Sequence, residues 1–189
     1  MISIERTDAE RFNVRIKVFG IGGGGCNALN NMVGSGLLKG LDFVAVNTDL
    51  QVLDQNKARH KLAIGSKLTR GLGAGGNPEI GEKAASEDRD KIRDMIDGAS
   101  LLFLTTGMGG GTGTGATPVI ASVAREMGIL TIAVVTKPFE FEGKSRMENA
   151  KGDRGSKGVC RCCHRHPQSA SFPPSGGKDL LPSGFPHGR

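Results

Sequence analysis

The sequence predicts an α/β protein: a parallel sheet with helices packed on both of its faces. Short, continuous apolar runs recur at 15–21, 42–49, 61–65, 100–107 and 129–138. Continuous rather than alternating hydrophobicity marks strands covered on both sides. Helical spacing or helix-end signals fill several of the intervals, and strands that alternate with helices build parallel sheets.

Each element has its own warrant. RIKVFGI (15–21) is β-branched and apolar and runs into glycines, as a buried strand does before a tight turn. NALNNMV (27–33) follows as a helix start, and DFVAVNTD (42–49) and KLAIG (61–65) read as the next two strands. LTRGLGAGGNP (68–78) is loop by composition, and its Pro78 suits a first helical turn. In EIGEKAASEDRDKIRDMIDG (79–98), Ile80, Ala84, Ile92, Met95 and Ile96 recur at helical spacing, with Gly98 as the stop. SLLFLTTG (100–107) is a fourth strand, ATPVIASVAREMG (116–128) a helix, and ILTIAVVTKP (129–138) the most apolar strand of the set.

With 189 residues the chain has the length of one ordinary domain. No uncharged apolar run approaches the roughly 20 residues of a membrane span, so no direct membrane insertion is expected. The opening MISIERTDAERF has no apolar signal-peptide core, which points to a cytoplasmic protein with a flexible segment over 1–13. The net charge of +6 is unevenly placed: residues 151–189 hold seven Lys/Arg against two Asp/Glu, net +5, leaving 18 against 17 in 1–150. The basic character therefore belongs to the tail and is no argument for a nucleic-acid partner of the domain, expected at 14–150.

Two glycine loops carry the chemistry. GIGGGGCNA (20–28) lies between the first strand and a helix, and GMGGGTGTGA (107–116) lies between the fourth strand and another. In a parallel sheet such loops fall at the carboxyl ends of strands, where ligands bind. Glycines let phosphate oxygens approach the unpaired N–H groups of a helix start, which also carries a partial positive charge. Two such loops suggest a polyphosphate held from two sides. Gly20, Gly22 and Gly25 also fit the dinucleotide pattern G-x-G-x-x-G, with Asp49 at the end of the next strand, so an NAD(P)-dependent oxidoreductase stays open. A small basic nucleic-acid-binding protein acting through the tail is a third reading. The phosphate-binding G-x-x-x-x-G-K-[ST] pattern does not occur, so the phosphates would be held without its lysine.

GIGGGGCNA, AVNTD (45–49), GLGAGGNPEIG (71–81), GMGGGTGTG and VVTKPFEFEGKSRM (134–147) together resemble FtsZ, the bacterial tubulin-like family of cell-division GTPases, in order from about Val14 to Ala150. The resemblance implies an incomplete Rossmann-like GTPase domain binding GTP or GDP, with Mg²⁺ accompanying the nucleotide. It places Gly22, Gly23, Gly24, Gly25, Cys26 and Asn27 in a first nucleotide loop, and Gly110, Gly111, Thr112, Gly113 and Thr114 around the phosphates. Glu142 would sit on the ribose side and Arg146 on the nucleotide side, although an exposed i,i+4 ion pair is the plainer account of those two. Cys26 stands at a helix start, where a thiol pKa can fall, or is simply a small residue in a place for Gly or Ala. The family further implies a head-to-tail homopolymer and division-protein partners at the mid-cell ring. It also implies hydrolysis completed by an acidic loop of the next subunit; no catalytic residue of that loop is identified in this chain.

After Ala150 the resemblance stops. Residues 151–189 contain five Val, Leu or Phe, too few for a core, and the stretch is expected to be disordered. Its CxCCHxH cluster (160–166) lacks the separated ligand pairs of a zinc module, so no metal site is expected. Read one base later, any codons for Cys160, Cys162 and Cys163 give Ala or Val, and those for His164 and His166 give Ile or Thr. From Gly152 the shifted frame permits E-I-E-A-L-K-E-Y-V-D-A-V-I-V-I-P, a helix end running into a buried strand. The tail is therefore read as out of frame.

Overall fold

A computed structural model describes residues 14–36, 38, 40–151 and 162–167. The expectation for 1–13 lies outside them. The strands are β1 (Ile16–Ile21), β2 (Asp42–Asn47), β3 (His60–Ala63), β4 (Leu101–Gly107), β5 (Leu130–Lys137) and β6 (Cys162–Pro167). They form one sheet in the order β3-β2-β1-β4-β5-β6, and every neighbouring pair is parallel. The order runs outward from β1 in both directions, which opens a crevice at the carboxyl ends of β1 and β4.

Period-two geometry divides the strand side chains between two cores. Phe19 and Ile21 of β1, with Val44, Val46, Leu102 and Leu104 of its neighbours, face three helices: α4 (Pro78–Glu87), α5 (Arg89–Ile96) and α6 (Thr112–Glu126). Val18, Phe43 and Ala45 turn the other way, onto Cys26 and Leu29 of α1 (Gly22–Ser35) and Leu53 of the short α2 (Leu50–Asp54). Helices on both faces are thus as expected. Cover on the α1 side thins toward β5, where Ile132 and Val134 stay only half-buried.

The structure corrects four local expectations. Both glycine loops are partly helical: α1 begins at Gly22 rather than Asn27, and α6 at Thr112 rather than Ala116. Glycine disfavours helix in an isolated chain, but here small residues are needed where helices press on neighbouring backbone. At the α4–α6 crossing a Cβ on Gly115 would run into the carbonyl oxygen of Pro78. The single helix expected over 79–98 breaks at Asp88, whose carboxylate turns away to accept the N–H of Gly65 at 2.7 Å. The chain also makes α2 and a four-residue α3 (Ser66–Thr69), both too short for periodicity to reveal.

The fourth correction concerns the tail. Most of 151–189 lies outside the described residues, but 162–167, expected to be disordered, pair in parallel with β5 as β6, from Ile132↔Cys162 to Lys137↔Pro167. The edge at ILTIAVV is therefore not open along that stretch. A composition argument weighs side-chain burial, whereas strand addition is made by backbone N–H and C=O groups that every strand edge presents. Beyond β5 a 3₁₀ turn (Glu140–Glu142) leads into α7 (Lys144–Lys151), which ends one residue past the expected domain limit.

Candidate functional site

Helices α1 and α6 both start at the carboxyl edge of the sheet, directly after β1 and a few residues after β4. Their first turns abut. Gly22 has φ +70°, a left-handed conformation that a side chain resists, and a Cβ there would lie 2.7 Å from the Gly113 nitrogen. The first N–H groups of each helix have no intrahelical acceptor, and both dipoles present their positive ends to the same space.

That space is a cavity of about 240 Å³. Gly23 and Gly24 of α1 form one wall; Gly110, Gly111, Thr112 and Gly113 form the opposite one. Arg146 reaches in from α7, and among the described lining residues it is the only charged one. A cavity walled by the backbone of two helix starts, with one guanidinium and no carboxylate among its described lining residues, suits an anion of phosphate size and geometry.

The hydroxyls around the cavity are largely committed. Thr112 Oγ1 lies 2.7 Å from Thr48 Oγ1, both residues being buried. Thr114 Oγ1 accepts the Gly109 N–H at 2.9 Å, so this threonine holds the turn of its own loop. Thr117 donates at 2.6 Å to the Gly113 carbonyl one turn back within α6, and Thr106 donates at 3.0 Å to the Ile21 carbonyl, which ties the end of β4 to the end of β1. No buried side-chain polar atom among the described residues lacks a partner.

Of the residues singled out in the sequence, Gly23, Gly24, Gly110, Gly111, Thr112, Gly113 and Arg146 line the cavity. Gly22, Gly25 and Thr114 shape it from behind. Asn27 is exposed one turn along α1 and does not line it. Glu142 also lies off the lining: its Oε2 accepts from Arg146 at 2.8 Å and its Oε1 from the Phe139 N–H at 3.0 Å. The i,i+4 pair is therefore formed, and Arg146 nonetheless faces the cavity. Cys26 corrects the idea of a lowered thiol pKa. It is fully buried between α1 and the sheet, 3.7 Å from the Gly20 carbonyl oxygen, and burial pushes its thiol up to about 11.

Sequence reasoning missed Ala74, Gly76, Gly107 and Met108, which complete the lining. For the first two a signal existed: GLGAGGNP is nearly as glycine-dense as the other loops and follows the third strand. Asn149 gave no signal. Its Nδ2 donates to the Gly76 carbonyl at 2.9 Å and approaches that of Gly109 at 3.4 Å, bringing α7 across two loops.

Comparison with known proteins gives this geometry its family. A family model described as the Tubulin/FtsZ family, GTPase domain, matches residues 15–155. A solved FtsZ dimer from M. jannaschii, empty of ligand, is 47% identical with a TM-score of 0.78, covering 82% of this chain and 45% of that one. The chain thus spans less than half the length of that relative. CetZ2 from Haloferax volcanii, solved as a GTPγS-bound protofilament, has a TM-score of 0.73 at 23% identity over 87% of this chain and 52% of its own, a likeness of fold alone. A parallel sheet with two glycine-walled helix starts converging at one edge, matched by that model over most of its length, makes this chain a member of the Tubulin/FtsZ family through its GTPase domain.

Proposed function

We propose that the cavity binds the phosphates of GTP or GDP, and that the chain is the nucleotide-holding part of a filament-forming cell-division GTPase. The observation that carries this reading is the apposition of two helix starts across a cavity that no carboxylate among the described residues lines. Gly23 and Gly24 would take one side of the phosphate chain and residues 110–113 the other, with Arg146 as counter-charge. Mg²⁺ fits as a companion of the nucleotide, held by phosphate oxygens and water, because no carboxylate among the described residues lines the cavity. Phosphoryl transfer depends mainly on positioning and electrostatics, so a bound nucleotide here awaits a water-orienting acid from the next subunit. Assembly is then head-to-tail through the nucleotide face, in the cytoplasm at the mid-cell ring, together with division proteins.

Displacement of a fluorescent guanine nucleotide from the full chain tests the binding. GTP and GDP should compete and NAD should not; competition by NAD would instead favour the oxidoreductase. Phosphate release with GTP and Mg²⁺, followed over a protein concentration series, should stay at background. Turnover that rises with concentration would show that the chain supplies the catalytic contact itself.

The out-of-frame reading of the tail has one structural support. The shifted frame aligns A-V-I-V-I-P with 162–167, the six residues of β6, and an apolar run is what a strand beside β5 calls for. Sequencing the gene with independent reads tests it, and a consistent unbroken frame would exclude a reading error.

A further inference from the structure

Thr48 stands outside the cavity lining, yet the start of α6 and the 69–73 segment both meet on it. Its hydroxyl pairs with that of Thr112 at 2.7 Å. Its carbonyl accepts from the Gly73 N–H at 3.2 Å and from the Thr69 hydroxyl at 3.3 Å. Its own N–H donates to Asn47 Oδ1 at 2.8 Å, so its backbone is held from both sides. Thr48 and Thr112 are 2% and 7% exposed, which leaves their hydroxyls little access to solvent.

Two hydroxyls joined by one hydrogen bond use one proton between them. If Thr48 donates, the Thr112 proton is free to point into the cavity that Thr112 lines. An anion in the cavity selects that direction, and the chain Thr48 O–H to Thr112 O–H to anion is strengthened by its own polarisation. We infer that Thr48 is a positioning residue for phosphate binding, acting through the Thr112 hydroxyl and coupling it to the 69–73 loop. This rests on the phosphate-binding reading of the cavity.

The test is a double-mutant cycle on the full chain, with GDP and inorganic pyrophosphate as the two probes. Thr48→Val should weaken both by roughly fivefold to tenfold, the scale of one hydrogen bond between neutral groups. Thr48→Ser, which keeps the hydroxyl, should bind within about twofold of the parent. Thr112→Val should lose affinity too, and adding Thr48→Val to it should cost little more, because the relay is already broken. A merely structural threonine would give full additivity, and that result, or parental binding by Thr48→Val, overturns the inference. Should circular dichroism show Thr48→Val unfolded, Thr48→Ala takes its place in the cycle. A parent that binds pyrophosphate but not GDP refutes the guanine-nucleotide reading while the cycle still decides Thr48; a parent that binds neither refutes both.

Discussion

Gly110 lines the cavity, and a Cβ built on it meets no atom within 4 Å. An acid can therefore be placed there without disturbing the packing. Gly110→Asp should lower guanine-nucleotide affinity at least about tenfold, since a like charge at contact range of phosphate is worth several kcal/mol in a partly shielded site. Gly110→Ala should bind nearly as the parent, and both should melt within a few degrees of it. Gly111 is a poorer probe, because a Cβ there would lie 2.8 Å from that of Ala74 and 2.9 Å from the Asn77 nitrogen. Cys26 allows a prediction in pH. Its folded-state pKa, about 11, is raised above the ordinary thiol value, so the stability it confers is whole below the unfolded pKa and lost as pH rises toward 11. Across that window the loss is about 2 kcal/mol, and Cys26→Ala should flatten the fall seen in denaturant midpoints measured from pH 8 to 10.5. The glycines of the two loops could be read directly from the sequence, because nothing but backbone was there to bind with. The pairing of Thr48 with Thr112 could not, as the residues stand far apart in the chain and only the fold brings their hydroxyls together.

Among the elements, α4 and α6 make the tightest contact of the helical layer. Gly115 sits where a Cβ would meet the Pro78 carbonyl, and Gly81 where one would lie 2.5 Å from the Gly111 carbonyl oxygen. Gly115→Ala should thus cost more than about 2 kcal/mol by overpacking, although Ala is the better helix former in isolation. Chemical denaturation of the variant against the parent gives the value; a neutral or stabilising result would mean that the crossing can open freely. Close approach of this kind explains why both helices begin four or five residues before their propensity predicts: in α6 Gly115 presses on Pro78, and in α1 a Cβ on Gly25 would run into the Thr105 carbonyl oxygen. Propensity counts glycine as a breaker, and only the neighbouring backbone shows why glycine is required. The break at Asp88 has a similar origin, since its partner is the Gly65 N–H in a distant turn.

On the scale of the molecule, the sheet grows outward from β1 and ends at β6 on one side. Removing residues 152–189 would uncover the edge of β5 over Ile132–Lys137, a run that includes Val134 and Val135. Such a variant should aggregate at lower concentration or temperature than the full chain, as followed by light scattering. Equal solubility would mean that β6 does not protect that edge. A chain restored to the shifted frame from Gly152 should be more stable than the present one, because apolar side chains in β6 would extend both cores.

Sequence alone determined the fold class, because strands buried on both faces must be apolar throughout and parallel strands must be joined by crossovers. It also marked the two glycine loops as suited to an anion, since glycine runs between a strand and a helix leave bare N–H groups at a positive helix end. Tertiary structure decided what local rules cannot rank. It extended the helices into the glycines, since close backbone approach outweighs propensity there. It brought Ala74, Gly76 and Arg146 to the same cavity as the glycine loops. And it laid 162–167 along β5, because backbone pairing at a strand edge does not depend on the side chains by which a composition is judged.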